Sequence, residues 1–337
     1  MDPKTLALAL LASTALVAPG LAQTSGQESG AEAEMTPQES EIPDTSEEDL
    51  ADSEADLIDE FNIGVLGGEN AQDRMTANQC LADYASERLG VEVNVFTPAD
   101  YNGVIQGLLG GSLDMAWLGA SSYAAVYLQD PKAVEPVLVK TNLDGSYSYH
   151  SIGFARSDSD IESLEDMEGK VFGFGDPNST SGYLIPSVEI PQAGEEITME
   201  PGDYFQDVVF TGGHEQTIVA VSNGDIDGGV TWADGLGNWE DGYNSGALRK
   251  ASDAGIVDMN DLVEIWRSKP IPEGPVVLRS ALPREVKDEM VSLVGNLHSI
   301  DEDCAYSVAA GETAGFRPIG HDAYETIVEV RKREIGG

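Results

Sequence analysis

Beyond residue 60, the apolar and polar positions of this chain switch repeatedly between two periods. Phe61-Asn-Ile-Gly-Val-Leu66 reads as a strand closed by a Gly-Gly turn, and Asn70 to Leu89 carries apolar residues at helical spacing. Val91-Glu-Val-Asn-Val-Phe96 alternates as a second strand, Tyr101 to Leu109 predicts a helix, and Leu113-Asp-Met-Ala-Trp-Leu118 a buried strand. The rhythm restarts after Tyr149, with strands predicted at 151–155, 171–175, 208–210 and 228–231, and a helix from His214 to Asn223. A further strand, 262–267, leads back towards Ile271-Pro-Glu-Gly-Pro-Val-Val-Leu278. Alternating strands and helices imply an α/β architecture with a largely parallel sheet. A pattern that restarts and returns implies two lobes joined by crossing strands, 61–150 with 269–337 in one and 151–268 in the other. In such a fold the ligand cleft lies between the lobes, at the carboxyl ends of strands.

The first 60 residues follow neither period. Lys4, the apolar run from Leu6 to Val17 and the small residues Gly20-Leu21-Ala22 predict a secretory signal cleaved near Ala22, so the protein is expected to be exported to the periplasm. Residues 23–60 hold fourteen Asp and Glu and no Lys or Arg, a composition that predicts a disordered acidic tether.

Charge changes the picture further. The chain of 337 residues carries a formal charge of −42, and 61–337 alone holds 45 acidic against 17 basic residues, or −28. Such a surface excludes nucleic acid as a partner, since phosphate backbones demand basic patches. It fits a salty exterior, where screening limits self-repulsion. Cys80 and Cys304 are either one long-range disulfide or two thiols.

The candidate chemistry sits in Asp176-Pro-Asn-Ser-Thr-Ser-Gly182, three hydroxyls at a predicted helix start after a strand. Unpaired N–H groups, the positive end of the helix dipole and hydroxyl donors together hold an oxyanion without Lys or Arg. An ordinary Ser/Thr cap is the structural alternative. Thr211-Gly-Gly-His-Glu215 repeats the design and places His214 at a second helix start. On this reading His214 is the site's one basic side chain. No dinucleotide fingerprint, phosphate loop, nucleophile elbow or zinc-ligand spacing occurs, so no cofactor and no metal are expected. A hydrolase using Ser179 or Ser181 with His214 lacks an identifiable third member.

In order along the chain, Gly67-Gly-Glu-Asn-Ala-Gln72, Asp100-Tyr-Asn-Gly-Val-Ile105, Asp114-Met-Ala-Trp-Leu-Gly119, Gly175 to Gly182 and Gly213-His-Glu215 resemble the phosphonate-binding periplasmic proteins of ABC transporters. The resemblance spans about 61–330 and implies a two-lobed, type II-like binding protein, not an enzyme. Such a protein would be a monomer that passes its ligand to a permease in the inner membrane. It assigns Ser179, Thr180, Ser181 and His214 to the phosphonate oxygens and Tyr101 and Tyr149 to the cleft. The family's binders of 2-aminoethylphosphonate hold the ligand ammonium with two carboxylates. One falls on Asp234, where the family has Glu; the other falls on Gly274, beside Glu273. The resemblance therefore favours 2-aminoethylphosphonate, with phosphite, a phosphate ester or another small oxyanion as alternative ligands and a sensory receptor as an alternative partner.

Overall fold

The computed structural model describes residues 57–67, 70–194 and 196–336. The expected signal, and the expected tether up to residue 56, lie outside the described residues. Leu57 and Ile58 already pack on a hydrophobic core and β1 opens at Glu60, so the folded body begins ahead of residue 61. Among the described residues no helix is long and apolar enough to cross a membrane.

Among the described residues, twelve strands form two sheets. The first contains β1 (Glu60–Val65), β2 (Glu92–Phe96), β3 (Met115–Trp117), β4 (Val134–Lys140), β11 (Pro275–Arg279) and β12 (Phe316–Pro318), in the order β12-β4-β11-β3-β1-β2. The second runs β10 (Ile271–Pro272), β5 (Ser148–Arg156), β8 (Gly228–Ala233), β6 (Val171–Phe174), β7 (Asp207–Phe210), with β9 (Leu262–Arg267) also paired to β5. Both sheets are mixed, which corrects the expectation of a largely parallel one. Parallel pairing is confined to β2-β1-β3 and β7-β6-β8, and every strand near a crossing pairs antiparallel.

The segment 271–278, to which β9 leads back, is two strands in two sheets. Ile271 pairs with Tyr149 in the second sheet, whereas Val276 pairs with Trp117 and Leu138 in the first. The chain switches sheets at Glu273-Gly274, and that switch is what interrupts the ladder. Beside it runs the other crossing, from Lys140 at the end of β4 to Ser148 at the start of β5, tied back where Glu273 N donates to Tyr147 O at 2.9 Å.

Successive residues of the central strands point to opposite faces. Met115 and Val276 enter one core cluster, and Ala116 and Val277 the other. Apolar burial on both faces explains why these strands read as continuous hydrophobic runs. Helix α1 (Ala71–Leu89) is capped by Asn70, whose Oδ1 accepts from Gln72 and Asp73, and stops at Gly90 with φ 70°. The remaining helices are α2 (Tyr101–Gly110), α3 (Ala120–Gln129), α4 (Ile185–Glu189), α5 (His214–Asn223), α6 (Ala247–Asp253), α7 (Arg284–Ile300), α8 (Glu302–Ala309) and α9 (Glu325–Gly336). Cys80 and Cys304 form a disulfide, which staples α1 to α8 across 224 residues of sequence.

Candidate functional site

Strand β6 delivers the chain to the hydroxyl run, and the geometry there follows from who accepts from whom. Asp176 is buried; its Oδ1 accepts from Asn178 N at 2.7 Å and its Oδ2 from Tyr101 N, the first residue of α2, at 3.2 Å. Burial raises its pKa, against the pull of those two N–H donors. Ser179 caps a π-helical turn, Thr180–Leu184, its Oγ accepting from Gly182 N at 2.9 Å. Such turns recur where a helix is bent to a task. A side chain at 182 would have its Cβ 2.8 Å from Ser179 Oγ and 3.2 Å from His214, so only glycine lets this turn close on the imidazole.

Thr180 faces the start of α3. Its Oγ1 accepts from Ser121 N at 2.9 Å, which leaves the single hydroxyl proton to be donated elsewhere. Behind the run, Ser122 Oγ donates to Asn178 O at 3.0 Å, and Arg331 from α9 donates to Ser121 Oγ at 2.6 Å and Asn178 Oδ1 at 2.5 Å. Ser151 Oγ donates to Ser181 O at 2.7 Å. The three hydroxyl residues are thus pinned between elements of both sheets, with the α3 start on one side and the α5 start on the other.

His214 opens α5 after Gly213. Its Nε2 lies 3.2 Å from Ser179 Oγ and its Nδ1 3.2 Å from Thr231 Oγ1. The residue behind the imidazole is therefore a hydroxyl, that of Thr231. The Tyr149 phenol is pushed up by burial and then by the Glu273 carboxylate, while the Ser181 and Thr180 hydroxyls oppose the rise. It stays neutral and keeps a proton to donate.

A cavity of about 220 Å³ gathers these groups. Seven of the eight residues expected from the sequence line it: Tyr101, Tyr149, Ser179, Thr180, Ser181, His214 and Glu273. Asp234 is not among its lining residues. It is buried at the end of β8, its N donates to Ser245 O, and its Oδ1 accepts from Leu236 N at 3.1 Å, which turns it to its own loop. Gly274 is a lining residue without a side chain, and a Cβ there would sit 1.8 Å from Leu118 O.

The expectation that His214 is the only basic group is corrected. Arg74, Lys140 and Lys250 also line the cavity, and Glu273 is the one acid among its described lining residues. Arg74 is buried and donates to Val65 O, Leu66 O and Pro98 O, holding the ends of β1 and the loop after β2. Lys140 Nζ donates to Ser245 Oγ at 2.6 Å, lies 3.3 Å from Glu273 Oε1 and stands 5.5 Å from the Trp232 ring centroid. One signal for Lys140 was readable: a lysine closing the apolar strand Val134-Glu-Pro-Val-Leu-Val-Lys140 in a chain with only 18 basic residues. Trp117, inside the stretch Asp114 to Gly119 that carries the resemblance, supplies an aromatic wall together with Trp232 and Phe316.

The profile of the family described as ABC transporter, phosphonate, periplasmic substrate-binding protein matches residues 63–324. The chain is 28% identical over 276 residues to the phosphonates-binding periplasmic protein of Escherichia coli, covering 81% of this chain and 75% of that one. It is 26% identical over 249 residues to a phosphate-import protein of Mycolicibacterium smegmatis, covering 72% and 74%. Among solved structures, the binding protein component of an ABC phosphonate transporter from Pseudomonas aeruginosa superposes with a TM-score of 0.69 at 24% identity, covering 81% of this chain and 87% of that one. A Prochlorococcus marinus protein in complex with methylphosphonate gives 0.67 at 20%, covering 82% and 98%. Both share the two-lobed α/β fold. The proteins matched over most of the chain are transport binding components and not enzymes. The chain belongs to the family of periplasmic phosphonate substrate-binding proteins of ABC transporters.

Proposed function

We propose that this protein captures a phosphonate dianion with Ser179, Thr180, Ser181 and His214, flanked by Tyr101 and Tyr149, and presents it to an ABC permease. An export signal cut near Ala22 and a monomeric state belong to the same reading. One observation carries it. The hydroxyl run Ser179-Thr180-Ser181 and the His214 imidazole, its Nε2 3.2 Å from Ser179 Oγ, converge on one cavity with Tyr101 and Tyr149. N–H and O–H donors gathered at helix starts hold a small oxyanion against a distant acidic surface, above all where salt screens that surface. Donors held by the two lobes then meet the oxygens from both sides as the cleft closes.

Which phosphonate is taken turns on Glu273. The resemblance favours 2-aminoethylphosphonate, whose ammonium would need that carboxylate; phosphite and phosphate esters need no partner there. Isothermal titration of the exported form in about 1 M salt against methylphosphonate, 2-aminoethylphosphonate, phosphite, phosphate and sulfate tests the reading. Saturable 1:1 binding of a phosphonate, at least about tenfold tighter than sulfate, is expected. Sulfate binding as well as any phosphorus oxyanion would refute it.

A further inference from the structure

We infer that the phosphonate this protein selects bears an uncharged carbon substituent, because Lys140 already fills the place of a ligand ammonium. The inference rests on the phosphonate reading of the same cavity. An ammonium is recognised by a carboxylate, a hydroxyl and the face of an aromatic ring. All three are present here and all three meet Lys140 Nζ: Glu273 Oε1 at 3.3 Å as an ion pair, though that oxygen accepts no hydrogen bond from the described residues, Ser245 Oγ at 2.6 Å and the Trp232 ring at 5.5 Å. The Lys140 and Glu273 side chains are only 8% and 11% exposed, so the pair is a buried one.

The two other positions at which a carboxylate was expected supply none to the cavity. Asp234 lies outside the lining with its Oδ1 on Leu236 N, and Gly274 has no side chain and no room for one. Among the described lining residues, an entering ammonium would therefore find only Glu273, which already pairs with Lys140. Two like charges would then face one carboxylate in a site of low dielectric, or the buried pair would have to break, and either outcome is unfavourable.

An uncharged substituent meets none of these costs. Trp117, Trp232, Phe316 and Val308 line the same cavity and offer apolar surface to an alkyl or aryl group. Lys140 and Glu273 neutralise each other beside it. The chemical class is an alkyl- or arylphosphonate, in place of the aminoalkylphosphonate that the sequence resemblance suggests.

The test is a matched pair of ligands, propylphosphonate and 2-aminoethylphosphonate, which differ by a terminal methyl against an ammonium. Titrated calorimetrically against the wild-type protein in about 1 M salt, propylphosphonate should bind at least about tenfold tighter. Equal or tighter binding of the amino compound would overturn the inference and leave the phosphonate reading standing. Failure of both, together with methylphosphonate, phosphite and phosphate, would overturn the phosphonate reading itself and this inference with it. Lys140→Met removes the resident ammonium and keeps the side-chain length. In that variant the ratio should move at least about tenfold towards 2-aminoethylphosphonate, and an unchanged ratio would count against Lys140 as the occupant. The wild-type comparison decides the matter even if the variant does not fold.

Discussion

Thr180 and Ser121 meet across the cleft: the Thr180 hydroxyl oxygen, from the second sheet's side, accepts the Ser121 backbone N–H, from the first sheet's side, at 2.9 Å. One contact thus serves two ends. It satisfies an N–H at the start of α3 that has no partner within its own helix, and it orients the Thr180 proton away from α3.

Thr180→Val, nearly isosteric, removes both functions. Hydrogen bonds to a charged group contribute about 1.5–3 kcal/mol, so affinity for an alkylphosphonate should fall about 10- to 100-fold. Thr180→Ser keeps the oxygen and should stay within a few-fold of wild type. Calorimetric titration of the two variants checks this, with urea midpoints confirming that both remain folded. A loss in Ser with none in Val would show that the methyl group, not the hydroxyl, matters at this position.

Gly274 should resist the residue that its family resemblance places there. Its backbone follows the switch between sheets, and a Cβ would lie 1.8 Å from Leu118 O, in the stretch where Leu118 N donates to Pro275 O at 3.0 Å. Relief would require β11 to move off β3. Gly274→Ala and Gly274→Asp should each cost about 1–3 kcal/mol of stability, read from urea midpoints. The Asp variant should bind 2-aminoethylphosphonate no better than the Ala variant does. A gain for the amino compound specific to Asp would show that a carboxylate fits where this backbone leaves no space.

Much of the fold is legible along the chain. The expected helix His214 to Asn223 and the expected strand 262–267 coincide with α5 and β9, since each has a clear period and α5 ends on glycine. In α7, the buried Val286, Met290, Leu293, Val294 and Leu297 keep helical spacing equally plainly. The hydroxyl run and His214 were legible as a convergent pair because each follows a strand and opens a helix. What stayed hidden is tertiary. Local pattern cannot tell that 271–278 changes sheets, because the apolar alternation continues while the partner strand changes from β5 to β3 and β4. Nor can it show that Glu273 faces Lys140, 133 positions away in sequence, since that pair is created by two crossings lying side by side. Asp234 illustrates the converse: the right kind of residue at an aligned position, turned to its own loop by the Leu236 N–H.

The Cys80–Cys304 disulfide joins two helices that both face the cavity, since Arg74, Ala77 and Asn78 of α1 and Ser307 to Ala309 of α8 are lining residues. Closing so long a loop restricts the unfolded chain, and the loop-entropy relation gives about 5 kcal/mol for the stabilisation. The double substitution Cys80→Ser with Cys304→Ser should lower the denaturation free energy by about that amount and weaken phosphonate binding as α8 loosens against α1. Denaturant titration with and without reductant should reproduce the loss in the wild type alone. Insensitivity of the wild type to a reductant that demonstrably opens the bond would show that core packing, not the cross-link, holds the two helices.

Alkaline pH should unfold the protein through its buried phenols. Burial, followed by the neighbouring Tyr127, raises Tyr123 from 10.0 to about 12. Burial also raises Tyr149, Tyr243 and Tyr324, with Glu273 adding to the rise at Tyr149 and Tyr324. Between the unfolded value and the folded one, the native state keeps protons that the unfolded chain has released. Stability is therefore whole below pH ~10 and falls as pH rises towards 12, by up to about 1.4 kcal/mol per pH unit for each retained proton. Urea midpoints should decline between about pH 10 and pH 12, and the tyrosinate absorbance of these phenols should appear together with unfolding, not ahead of it. Titration of every tyrosine near pH ~10 in a protein that keeps its native midpoint would mean that these rings are not sealed from water.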